Sequence, residues 1–102
     1  MTFRVAEEAE SSTVFLDGEI DLERSPEARE VLLEVLGKGR PLRVDLSEVS
    51  YMDSSGIASL VEAHQKARNA KLGFSLVRVS AAVMKVLTLA RLDQVFSIEG
   101  AA

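Results

Sequence analysis

Asp45-Leu46-Ser47-Glu48-Val49-Ser50-Tyr51-Met52-Asp53-Ser54-Ser55-Gly56-Ile57 is the stretch from which the rest of the chain can be placed. The apolar run Leu42 to Leu46 predicts a short central strand that runs out into a polar loop. The small residues Asp53-Ser54-Ser55-Gly56 then predict a helix start. An Asp or Ser at such a turn caps the helix by accepting from a free backbone N–H, and Asp53 or Ser54 fits that role. Two serines in succession exceed what one cap needs. Ser55 falls on the first helical turn, where an added phosphate would meet free N–H groups and the positive end of the helix dipole. The position can therefore carry a phosphate with the fold intact, or be an inert first-turn serine.

Downstream, Ile57, Leu60, Val61 and His64 form one helical stripe with Ala63 and Ala67 beside it. Glu62, Gln65, Lys66 and Asn69 make the wet side, with Glu62 and Lys66 at the favoured i,i+4 spacing. Ala70 to Gly73 is the exit turn, and Phe74 to Val79 alternates as a strand. Ser80 caps a third helix that buries Val83, Val86, Leu87 and Ala90. A turn at Leu92-Asp93-Gln94 leads to a last strand, Val95 to Ile98, and a frayed tail, Glu99 to Ala102.

Upstream, Thr2 to Glu8 and Thr13 to Leu16 read as a hairpin, with Asp17-Gly18 breaking or bulging the second strand. Ser25-Pro26-Glu27 is a helix start with Ser25 as the cap, and Ala28, Val31, Leu32, Val35 and Leu36 form that helix's apolar face. Gly37-Lys38-Gly39 ends it, and Pro41 prevents its restart. The order strand, strand, helix, strand, helix, strand, helix, strand predicts a layered α/β domain. Its sheet is mixed, and parallel in its later part because helices link those strands.

Residues 1–102 fit one domain with one core. Apolar residues make up 47% and charged residues 27%, as in ordinary globular chains. No cysteine is present, which removes disulfides and thiolate metal sites and is compatible with the cytoplasm. The first residues run directly into a strand pattern without a secretory signal, and no apolar run reaches the length of a membrane span. A net charge of −4 argues against direct nucleic-acid binding, so a role in transcription would act through another protein.

Catalytic chemistry finds little support. The single histidine and dispersed carboxylates leave no zinc set. A hydrolytic triad would need His64 to reach Ser54 or Ser55, but the helix separates them by about 13–15 Å at its rise per residue. His64 suits half-buried packing better. No Gly-x-x-x-x-Gly-Lys loop is present. The expectation is a protein that is no enzyme and needs no cofactor of its own.

The segment Asp-Leu-Ser-Glu-Val-Ser-Tyr-Met-Asp-Ser-Ser-Gly-Ile resembles the signature of anti-sigma factor antagonists, the single-domain members of the STAS family. Gly18-Glu19-Ile20-Asp21 and the closing Leu92-Asp93-Gln94-Val95-Phe96 are also similar to STAS patterns, so the resemblance covers essentially the whole chain. It implies the STAS fold. It also implies that the second hydroxyl residue, Ser55, is phosphorylated by an anti-sigma factor with serine kinase activity. A metal-dependent PP2C-type serine phosphatase would reset it, with nucleotide and magnesium belonging to those partners. Asp21 would lie near the phosphorylation loop, or simply end a turn. Asp53 would orient Ser55, or only cap the helix. Met52 would be an exposed soft contact, or a core residue. Ser54 and Ser59 would join the docking surface, with a plain helical serine the alternative for Ser59. A second implied function is that of an accessory subunit of a lipid-transport ABC complex, where the same helix is a fixed contact. A third is a ligand- or nucleotide-binding sensor.

Overall fold

The apolar positions marked by alternation and by helical spacing converge on one face of a five-stranded sheet. The computed structural model describes residues 1–101. It runs β1 (Thr2–Glu7), β2 (Ser12–Ile20), α1 (Ser25–Leu36), β3 (Leu42–Met52), α2 (Ser54–Asn69), β4 (Phe74–Val79), α3 (Ala81–Leu89) and β5 (Ser97–Ala101). The strands lie in sequence order across the sheet, so β3 is central. β1 is antiparallel to β2, and every later neighbour is parallel because a helix carries the chain back between them. Val14 and Leu16 of β2, Val44 and Leu46 of β3 and Leu76 of β4 alternate inward. They meet Leu32 and Val35 of α1, Leu60 and Ala63 of α2, and Val83 and Leu87 of α3. On the opposite face the Arg4 guanidinium sits 3.9 Å from the centroid of the Phe15 ring.

Several expectations are corrected. The segment expected as a polar loop after Leu46 is strand as far as Met52. Of the two readings of Asp17-Gly18, a break or a bulge, the bulge holds: the register shifts around this pair and the strand continues beside β3 as Gly18↔Val49, Glu19↔Tyr51 and Ile20↔Met52. Backbone pairing and the buried Val49 and Met52 hold this polar extension in the sheet. Gly18 takes φ 81°, a left-handed conformation suited to glycine.

Ser25 is not the cap, a position taken by Arg24 without a side-chain capping bond. Ser25 is buried as the first residue of α1, and Asp21 instead organises the turn, its carboxylate accepting from the N–H groups of Glu23 and Arg24 at 3.1 Å each. The last strand is Ser97–Ala101 rather than Val95 to Ile98. Glu99 to Ala101, expected to fray, pair with β4, and Ala102 lies outside the described residues. Ser80 does cap α3, accepting from the Val83 N–H at 3.3 Å while donating to the Val49 carbonyl at 2.7 Å. No helix among the described residues is long and apolar enough to cross a membrane.

Candidate functional site

Because Ile20 pairs with Met52, β2 and β3 finish side by side, and the turns that start α1 and α2 emerge at the same edge. The Asp53 N–H donates to the Ile20 carbonyl at 3.3 Å and ties the two turns together. Asp53 has extended backbone, and its Oδ1 accepts from the N–H groups of Ser55 at 2.9 Å and Gly56 at 3.3 Å. This is the helix cap, made by Asp53 and not by Ser54, which is exposed. Ser55 is half-buried, and the cap holds it through its backbone N–H.

Replacing Asp53 with alanine should remove about 1 kcal/mol of stability. Thermal melting should fall by several degrees in a domain of this size. An unchanged midpoint would show that the cap contributes nothing.

Ser59 and Met52 depart from the expectation of an exposed docking surface. Ser59 is only 6% exposed, and its hydroxyl donation is shared between the Ser25 and Ser55 carbonyls, each at 3.2 Å. It therefore joins α2 to α1 beneath the surface. Met52 is 2% exposed and belongs to the core, not to a contact surface. It points under the helix start, where a Cβ built on Gly56 would lie 2.5 Å from Met52 Cγ and 3.0 Å from the Ile20 carbonyl oxygen. The glycine of Asp-Ser-Ser-Gly is thus a point of close approach between α2 and the strand ends.

Asp21 reaches the same edge, but its second carboxylate oxygen pairs with Arg24 Nη1 at 2.6 Å. His64 stands apart. Its ring packs edge-on against Phe74 and Phe96, with centroids at 5.7 and 5.3 Å, and its Nδ1 is buried without a hydrogen-bond partner among the described residues.

Ser55 opens onto a shallow groove of about 320 Å³ between the two helices, lined also by Ser25, Arg29, Ala58, Ser59 and Glu62. Glu62 does not make the expected pair with Lys66; it pairs with Arg29 across the helix seam. Two apolar side chains missed by the pattern reading lie by the same strand ends. Leu22, next to Asp21, is 73% exposed, and Tyr51, next to Met52, is 49% exposed. A lone leucine between Asp21 and Glu23, with no periodic partner, was the available signal.

The arrangement presents a hydroxyl turn capped by a carboxylate, with exposed apolar groups at the neighbouring strand ends. A family model described as "Mlab, STAS domain" matches residues 3–99. The chain is similar to the anti-sigma-B factor antagonist of Listeria monocytogenes, at 32% identity over 87 residues, which are 84% of this chain and 76% of that protein. It is similar to the anti-sigma-B factor antagonist of Bacillus subtilis at 29% identity over 85 residues, 83% and 78% of the two chains. The crystal structure of an anti-sigma factor antagonist from Mycobacterium paratuberculosis superposes with a TM-score of 0.85 at 28% identity, covering 96% of this chain and 84% of that one. On its sequence and its fold, the chain belongs to the STAS-domain family of anti-sigma factor antagonists.

Proposed function

We propose that this chain is a phosphorylation-switched binding protein of the cytoplasm that engages an anti-sigma factor when Ser55 is unmodified and so frees a sigma factor. The observation that carries this reading is the state of Ser55. It is half-exposed on a groove, and its turn is held by Asp53 through backbone N–H groups. The hydroxyl can therefore exchange its proton for a phosphoryl group while the turn keeps its shape. Relatives named anti-sigma-B factor antagonist give the partner class.

In this reading the anti-sigma factor is also the kinase. It transfers the γ-phosphoryl group of ATP to Ser55 Oγ, leaving ADP and a proton. A PP2C-type phosphatase hydrolyses the ester and restores the binding form. Asp53 presents the serine. Ser54, Leu22 and Tyr51 offer contact area. Asp21 holds the neighbouring turn, while Met52 and Ser59 support the surface from below. The chain supplies the docking surface and the acceptor hydroxyl, and catalysis belongs to the partners.

Incubation with the cognate kinase and ATP should add one phosphate by mass spectrometry. Ser55→Ala should abolish the addition, and Ser54→Ala should leave it. A phosphate mapped to Ser54 would overturn the assignment. A second reading, the accessory subunit of a lipid-transport ABC complex, draws on the bonded seam between α1 and α2, which suits a permanent contact. It requires that a charge at residue 55 leave partner binding unchanged.

A further inference from the structure

The ion pair between Arg29 and Glu62 lines the groove onto which Ser55 opens. We propose that Arg29 is a built-in receptor for the phosphate on Ser55: on phosphorylation the guanidinium leaves Glu62 and bridges α1 to the start of α2. This rests on Ser55 being the modified residue.

Placement comes first. Ser55, Ser59 and Glu62 follow i, i+4, i+7 spacing along the side of α2 that faces α1. Ser25 and Arg29, at i, i+4, line the opposite wall. The bond from Ser59 to the Ser25 carbonyl fixes the axial register of the two helices. Both helices start at the same sheet edge, and helical side chains lean toward their N-termini. A long side chain at Arg29 therefore leans along the groove toward Ser55.

Charge comes second. The side chains of Arg29 and Glu62 are 52% and 46% exposed. Pairs this wet contribute about 0–1 kcal/mol, so exchange of partner costs little. Phosphoserine brings nearly two negative charges and three acceptor oxygens, against the single charge of Glu62. Those oxygens also match the fork of the guanidinium. Two other charged groups at this edge are already committed, Asp53 to the α2 cap and Arg24 to Asp21, while Glu19, Glu23 and Glu27 add negative charge that offers a phosphate no pairing. Phosphorylation would then do two things at once. It adds an anion at the helix start, and it releases the Glu62 carboxylate at the far end of the groove.

The test needs no partner protein. Phosphoserine is placed at position 55 by genetic code expansion, so the outcome is independent of whether any kinase recognises the site. The second ionisation of the phosphate is followed by phosphorus NMR. Arg29→Gln should raise that pKa by about half a unit, as expected for losing a nearby solvent-exposed opposite charge. Glu62→Gln, which removes the competitor, should lower it, and Arg24→Gln should leave it in place. In the parent chain the Arg29 Nε–H resonance should move on phosphorylation. An ionisation unaffected by Arg29→Gln, or one that moves instead with Arg24→Gln, would overturn the proposal. Such a result would leave the kinase and binding experiments untouched, just as failure of those would leave this measurement standing.

Discussion

Phosphorylated at Ser55, the chain is expected to bind its proposed kinase partner about 100-fold more weakly than the unmodified form, a loss of about 2.7 kcal/mol. The physical cause is local. Asp53 is two residues away, so a phosphate makes the surface between the two helix starts strongly anionic. A partner fitted over this edge would have to desolvate that charge and find room for it. The fold itself should tolerate the group, because an anion on the first turn of a helix is favoured by the dipole and the free N–H groups. Ser55→Asp, with about half the charge and a shorter reach, should lose about tenfold, or roughly 1.4 kcal/mol. Calorimetric titration of the three forms checks the order. Thermal melts of the same samples separate lost affinity from lost structure. Equal affinity for all three would remove the switch and favour a fixed contact.

The parts of the molecule legible in the sequence are those set by local periodicity. Val14, Leu16, Val44, Leu46 and Leu76 alternate, and Leu32, Val35, Leu60 and Leu87 recur at helical spacing, so strands, helices and core follow from pattern alone. The capped serine turn was legible because its chemistry is local, with donors and acceptor two or three residues apart. What escaped was decided between distant segments. Ser47 to Ser50 look like loop, yet they are strand because β2 continues beyond its register shift to meet them. Glu99 to Ala101 look like a tail, yet β4 offers a parallel edge. Glu62 has Lys66 one turn away in its own helix, yet pairs with Arg29 of another. Ser59 reads as an ordinary helical serine until the Ser25 carbonyl is placed opposite it. Met52 could not be assigned by periodicity, because it stands at the junction of two periods, the last residue of a strand and two before a helix.

That junction carries the largest expected effect on stability. A methyl at Gly56 would lie 2.5 Å from Met52 Cγ and 3.0 Å from the Ile20 carbonyl oxygen. The oxygen is backbone and Met52 Cγ is the second atom of its side chain, near its own main chain, so neither can swing away cheaply. Against this, alanine gains about 1 kcal/mol over glycine in helix propensity. Overpacking typically costs 1–3 kcal/mol. Gly56→Ala should therefore be destabilising by about 1 kcal/mol net, and Gly56→Val, with two more methyl groups and less helix propensity, by about 3 kcal/mol. Denaturant unfolding measures both. The cause is tested by pairing the change with Met52→Ala, which deletes the Cγ atom. If the close approach is responsible, Gly56→Ala should cost less in the Met52→Ala background, with a coupling on the order of 1 kcal/mol. Equal cost in both backgrounds would show that the helix start does not depend on this contact. The same variants bear on function. Relief of the contact requires α2 to lift from the ends of β2 and β3, which displaces Ser55 from the edge it shares with Asp21, Leu22 and Tyr51. In the Gly56→Val variant, phosphorylation should slow even at temperatures where the chain remains folded, whereas the Ala variant in the Met52→Ala background should recover part of the rate.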